Sequence, residues 1–140
     1  MKITIETPKP GEQDEVIIRC AEVDDKLMRL IYALREDERL TGYLEDKIVK
    51  LSLKDIYYFE AVDNKIFAYV SEETYEIHRK LYELEHTDFL RISKSAIVNT
   101  SKIAYVKPIF NGRFEAKLKN GEKIIISRQY VAELKKKIGI

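Results

Sequence analysis

The 140-residue chain is 45% apolar and 35% charged, with five glycines and three prolines, which suits a packed domain and excludes a disordered or low-complexity chain. No apolar run approaches the ~18 residues a membrane span needs, and the opening MKITIETPKP lacks the apolar stretch of a signal peptide, so a cytoplasmic protein without membrane insertion is expected. The formal net charge of +1 conceals an uneven distribution: residues 1–44 carry 7 Lys and Arg against 10 Asp and Glu, whereas residues 86–140 carry 12 against 4.

Ile3 and Ile5 alternate with polar residues and Val16-Ile17-Ile18 is a short β-type run, so two strands are expected around the loop marked by Pro8, Pro10 and Gly11. Val23, Leu27, Leu30, Ile31 and Leu34 then fall on one helical face, which predicts an amphipathic helix over residues 22–37. Thr41-Gly42 marks a seam, dividing a β-β-α accessory module (1–44) from a second domain (45–140).

Past the seam, β-type runs recur about every ten residues, the rhythm of a β-sheet domain. Strands are expected at Lys47–Leu51, Ile56–Ala61, Lys65–Val70 and Thr74–Ile77, with a tight turn at Asp63-Asn64 and a helix of about two turns around Leu81 and Leu84. Further strands are expected at Ile92–Val98, Ile103–Ile109, Arg113–Leu118 and Lys123–Ile126. Asn111-Gly112 and Asn120-Gly121 sit between these runs, and Asn-Gly is a strong hairpin signal because both residues tolerate positive φ. Val131, Leu134 and Ile138 share a face of a final helix, with Ser127 the expected N-cap and Lys135 to Lys137 at its C-terminal end. The fold class is therefore mostly β with short helices, α+β overall.

Catalytic signals are absent. Cys20 is the single cysteine, which rules out an intramolecular disulfide and any CxxC motif. His78 and His86 are the only histidines, and no cluster has metal-ligand spacing; no phosphate loop or nucleophile elbow occurs, and no cofactor is expected. Glu60 with Asp63 could be imagined as an acid/base pair, but a strand-end Glu beside a turn Asp is more often structural. Tyr57-Tyr58-Phe59 with Phe67 and Tyr69 could stack single-stranded bases, although alternation in adjacent strands reads better as sheet core. An enzyme therefore has no positive support.

Two segments differ in kind. In Phe89–Asn99, polar Arg91, Ser93 and Ser95 alternate with apolar or small residues and Lys94 falls on the other face; hydroxyls beside two basic residues suit phosphate binding. Ser127-Arg128-Gln129 forms a second such group where the last strand gives way to the final helix. Both lie in the basic part of the chain, as a phosphate-backbone footprint would.

Residues 45 to 138 resemble a complete LytTR domain. The resemblance is carried by Leu53–Ala61, Asp63-Asn64-Lys65, Phe89–Ser95 with Ile97-Val98-Asn99, and Asn120-Gly121 ahead of Ile126–Tyr130, in matching order and spacing. It implies a bacterial, cytoplasmic DNA-binding regulator whose packed sheets insert loops into successive major grooves. Carried over position by position, the base-reading loops fall at Asn64 and Lys65, at Lys94, and at Arg128-Gln129, with Ser93, Ser95 and Ser127 serving phosphates beside Arg91. Lys and Arg can donate to guanine O6 and N7, and Gln can pair with adenine N6 and N7. Lys94 and Gln129 depart from residues common in the family, which puts the target sequence in doubt. Asn99, a hallmark of the family, is expected to hold a turn. Many members carry a phosphoacceptor receiver domain, a fold too large for residues 1–44.

The resulting expectation is a sequence-specific regulator on double-stranded DNA, acting as a homodimer with a possible regulatory protein partner. The rival is a protein-interaction or ligand-sensing β-module without direct DNA readout.

Overall fold

The computed structural model describes residues 1–34, 39–85 and 88–140. Its elements are α1 (Asp25–Leu34), β1 (Arg39–Leu44), β2 (Lys47–Ser52), β3 (Tyr58–Val62), β4 (Lys65–Tyr69), β5 (Thr74–Ile77), β6 (Phe89–Ser93), β7 (Ala96–Asn99), β8 (Ile103–Pro108), β9 (Phe114–Leu118), β10 (Lys123–Ile126) and α2 (Val131–Ile138). Seven strands form one antiparallel sheet in the order β2-β1-β5-β4-β3-β7-β6, and three form a second in the order β10-β9-β8.

Period-two alternation gives the large sheet two buried faces. Tyr58 and Val98 face the small sheet and α2, meeting Ala116, Leu118, Ile126 and Leu134. Phe59 and Ile97, one residue along each strand, face the other way and pack with Ile56, Ala68, Leu84 and Phe89. A one-residue slip of β3 would exchange these sets, so the register is fixed by burial on both faces. Phe59 has no exposed surface, and truncating such a residue costs about 3–5 kcal/mol. The aromatic run Tyr57-Tyr58-Phe59 is therefore core.

Several sequence expectations change. The two N-terminal strands are not formed: residues 1–24 contain no strand, and Ile3, Ile5, Val16 and Ile17 are exposed. Two short runs have no third strand or apolar face to pair on, and an isolated hairpin is marginal in water. The helix begins at Asp25, where the Leu27 N–H donates to Asp24 Oδ1 at 2.8 Å; residues 35–37 of the expected helix, like His86, lie outside the described residues. Strand β1 runs through the seam expected at Thr41-Gly42, pairing with β2 from Arg39↔Ser52 to Leu44↔Lys47 and with β5 at Gly42↔Ile77. Gly42 lets this happen, because a Cβ there would lie 2.7 Å from Leu51 Cδ1 and 2.9 Å from Tyr75 Cβ.

The single strand expected over Ile92–Val98 is two strands with a turn at Lys94-Ser95, and the helix around Leu81 is a 3-10 turn, Leu81–Leu84. Ser127 makes no side-chain cap; a 3-10 turn, Arg128–Tyr130, intervenes before α2. Asn111 and Gly112 both have positive φ, at 65° and 72°, but in the other Asn-Gly pair only Gly121 does, because Asn120 Oδ1 accepts the Glu122 N–H at 3.0 Å in an Asx-type turn.

Candidate nucleic-acid interface

The antiparallel pairing brings three distant turns to one end of the large sheet. In the first, Asp63 and Asn64 have φ of 51° and 64° and close the β3–β4 hairpin at Val62↔Lys65. The second, Lys94-Ser95, joins β6 to β7 beside a bulge between Arg91 and Ser93. It is bound to the first hairpin by the Ala61 N–H, which donates to Ser95 O at 2.7 Å. The third, Ser127–Gln129, follows β10 of the small sheet and is bound to β6 by the Ser127 N–H, which donates to Ile92 O at 2.8 Å. The three turns thus stand side by side, each fixed by backbone hydrogen bonds.

Asn64, Lys65, Lys94, Ser95, Arg128 and Gln129 are exposed, while Arg91, Ser93 and Ser127 are half-buried. Lys94 and Arg128 have no side-chain ion pair or hydrogen bond among the described residues, so their donors are open to a ligand. Ser93 Oγ accepts the Ser95 N–H at 3.2 Å, which tightens the turn and leaves the hydroxyl proton to donate. Lys65 Nζ lies 3.9 Å from Glu76 Oε1.

Arg91 sits differently from the other candidates. Its Nη1 donates to Lys94 O at 2.9 Å and its Nε to Glu85 Oε1 at 3.4 Å, with the side chain only 20% exposed. It is therefore a brace for the Lys94 turn. Asn99 is buried: its Nδ2 donates to Ile56 O at 2.8 Å, and its Oδ1 accepts from Ser101 N at 3.1 Å and Ser101 Oγ at 2.7 Å. It holds the turn after β7, as expected.

Three supports escaped the sequence reading. A Cβ on Gly112 would lie 2.9 Å from Arg128 Cδ and 3.0 Å from its Cγ, so the β8–β9 turn packs against the Arg128 stem. The Asn-Gly signal gave the turn but not its neighbour. Glu85 orients Arg91, and nothing in its sequence context marks it. At the opposite end of the sheet, the buried Tyr58 hydroxyl donates to Glu122 Oε1 at 2.6 Å and ties the two sheets together, while its ring stacks on Tyr69 at 4.2 Å. Burial, then Glu122, pushes the Tyr58 phenol far above its usual range. Glu60 accepts from the Tyr69 hydroxyl at 3.3 Å, and Asp63 sits in a turn, so the imagined acid/base pair is structural. No group of three or more potential metal-ligating side chains occurs among the described residues, and no helix among them is long and apolar enough to cross a membrane.

Residues 46–139 match the sequence family of the LytTr DNA-binding domain. The chain belongs to the LytTR DNA-binding domain family. It is 35% identical over 109 residues to the sensory transduction protein LytT of Bacillus cereus, a match covering 75% of this chain and 44% of that protein. The LytT of Enterococcus faecalis is 32% identical over 100 residues, covering 69% of this chain and 41% of LytT. The chain thus matches less than half the length of these LytT relatives. An HTH-type transcriptional regulator of Staphylococcus aureus is 26% identical over 146 aligned positions, covering 100% of this chain and 99% of the other. A solved LytTr DNA-binding domain from a Bacillus cereus protein superimposes with a TM-score of 0.68 at 26% identity, covering 73% of this chain and 97% of that one. The mostly β fold read from the LytTR motifs is thus the fold observed.

Proposed function

We propose that this LytTR chain is a sequence-specific regulator of transcription that inserts the turns at Asp63–Lys65, Lys94-Ser95 and Ser127–Gln129 into the major groove of double-stranded DNA. The observation that carries the reading is the convergence of three turns, 29 or more residues apart in sequence, on one sheet end, where Lys94 and Arg128 present unengaged donors. Lys94 and Arg128 suit guanine edges and Gln129 an adenine edge, with Asn64 and Lys65 reading beside them. The Ser93, Ser95 and Ser127 hydroxyls suit phosphates, and Arg91 serves them indirectly by fixing the Lys94 turn. The names of the Staphylococcus aureus and LytT relatives support the same reading.

The chain acts as a homodimer in this reading, with the part of residues 1–44 that precedes β1 as the dimerisation or control module and a regulatory protein partner as a further occupant. Leu27 is buried, but Leu30 and Leu34 remain exposed on the same helix, as does Val23 just ahead of it, and an apolar helical face needs cover. A net acidic segment is also ill suited to lie on phosphates.

Electrophoretic mobility shift on the DNA upstream of the chain's own gene tests the proposal. A specific complex, lost steeply as salt rises, is expected from counterion release. Absence of any complex, or a salt-independent one, would support the protein-interaction reading instead.

A further inference from the structure

Beyond the three turns, the same sheet end carries a fourth cationic group that the family motifs do not include. The β4–β5 pairing Ile66↔Ile77 sets His78, Arg79 and Lys80 beside Lys65. With Asn64, the carboxylates of Glu76 and Glu83, and Ile66 and Ile77, these residues line a shallow depression of about 340 Å³. The segment is held in place. The His78 ring stacks on Tyr43 with centroids 4.1 Å apart and an interplanar angle of 14°, its Nε2 lies 3.7 Å from Glu76 Oε2, and the Glu83 N–H donates to Lys80 O at 3.0 Å. Arg79 Nη1 lies 3.9 Å from Glu83 Oε2, a long contact that engages one corner of a guanidinium with five donors. Lys80 is exposed and has no ion-pair partner among the described residues.

Charge is polarised along the strands. Arg128, Lys94, Lys65, Arg79, Lys80 and, at the start of β1, Arg39 outnumber Asp63, Glu76, Glu83 and Glu85 at one end of the sheet, whereas Glu45, Asp46, Glu72, Glu73 and Asp88 outnumber Lys47 and Lys102 at the other. From β6 to β5 the strand order counts four steps, and the Ser127–Ile92 hydrogen bond beside β6 adds one more, about 24 Å in all at ~4.8 Å per strand. That distance spans roughly seven base pairs at ~3.4 Å each. On a duplex whose bases are read by the three turns, a cationic group so far along the row meets the flanking phosphodiester backbone.

We infer that His78-Arg79-Lys80 is a fourth DNA contact, one that clasps the phosphate backbone flanking the sequence read by the three turns and adds affinity without base preference. The inference rests on the DNA-binding reading above. Arg79→Ala/Lys80→Ala is the test, compared with Lys47→Ala/Lys119→Ala, which removes the same charge from turns at the opposite end of the strands. On a duplex extending at least ten base pairs beyond the selected site on both sides, the first pair should lower the slope of log K against log salt by about 1.8, at ~0.9 per phosphate. Raising salt from 50 to 200 mM would then cost this variant about twelvefold less affinity than it costs the unaltered chain. Affinity should fall alike on specific and unrelated duplexes, and ethylation of the flanking phosphates should cease to interfere with binding.

A wild-type slope in Arg79→Ala/Lys80→Ala, or an equal change in Lys47→Ala/Lys119→Ala, overturns the fourth contact. If Arg128→Ala still alters base preference in that case, the three-turn reading stands alone. If the unaltered chain binds no duplex, both readings fail together.

Discussion

Lys94 and Arg128 stand on turns whose backbones are fixed by the Ala61-to-Ser95 and Ser127-to-Ile92 hydrogen bonds, so either side chain can be removed without disturbing the fold. Lys94→Ala and Arg128→Ala should each cost about 1–3 kcal/mol of discrimination at one base position, with thermal stability within about 0.5 kcal/mol of wild type; titration on base-substituted duplexes checks this. Gly112→Ala should couple the two properties. It forces a Cβ onto a φ of +72° and against the Arg128 stem, so stability falls by about 1–2 kcal/mol and DNA affinity falls with it. Denaturant titration and mobility shift on the same samples would show whether the two losses travel together. The donor groups of Lys94, Arg128 and Gln129 were legible in the sequence as residue types, and base-edge readout is the use proposed for them. The bracing by Arg91 was not: its alternation with Ser93 and Ser95 places it on the polar face, and only the turn brings the Lys94 carbonyl within 2.9 Å of its guanidinium.

At the scale of elements, the strands from β2 onward were legible because burial alternates with period two, and the hairpins because Asp-Asn and Asn-Gly permit positive φ. The β6–β7 turn was hidden, since Ser93-Lys94-Ser95 interrupts an otherwise apolar run without glycine or proline. The N-terminal strands were overcalled because alternation at Ile3 and Ile5 signals a strand only where something pairs with it. The two sheets meet through Tyr58 and Glu122, which yields a pH prediction. Folding raises the Tyr58 phenol above its ordinary value of 10.0, so the neutral form is favoured. The stability tied to the neutral phenol, from its burial first and the Glu122 hydrogen bond second, is complete below about pH 10 and is lost as pH climbs above it. Tyr58→Phe should flatten part of this alkaline loss, with Tyr69, also raised by burial, retaining the rest. Chemical denaturation between about pH 8 and pH 11 measures the difference; identical profiles would mean that folding does not raise the Tyr58 phenol.

For the whole molecule, β1 binds the beginning of the chain to the domain, because removing it would free the edges of both β2 and β5. Burial lowers the Lys137 ammonium despite the opposing pull of Asp88, and Arg29 and Asp25 of α1 also contribute. Deleting residues 2–34 while keeping β1 should leave a folded domain and, on the dimer proposal, convert a dimer to a monomer in solution mass measurements; a monomeric full-length chain would remove dimerisation from the account. The central claim is that one sheet end reads sequence through three turns. Its most direct measurement is selection of bound duplexes from a random pool by the wild-type chain, Lys94→Ala and Arg128→Ala, followed by affinities on the selected site. Each variant should lose preference at its own base position and keep the preference at the other. Indistinguishable selected sequences for all three proteins, at undiminished affinity, would contradict the claim.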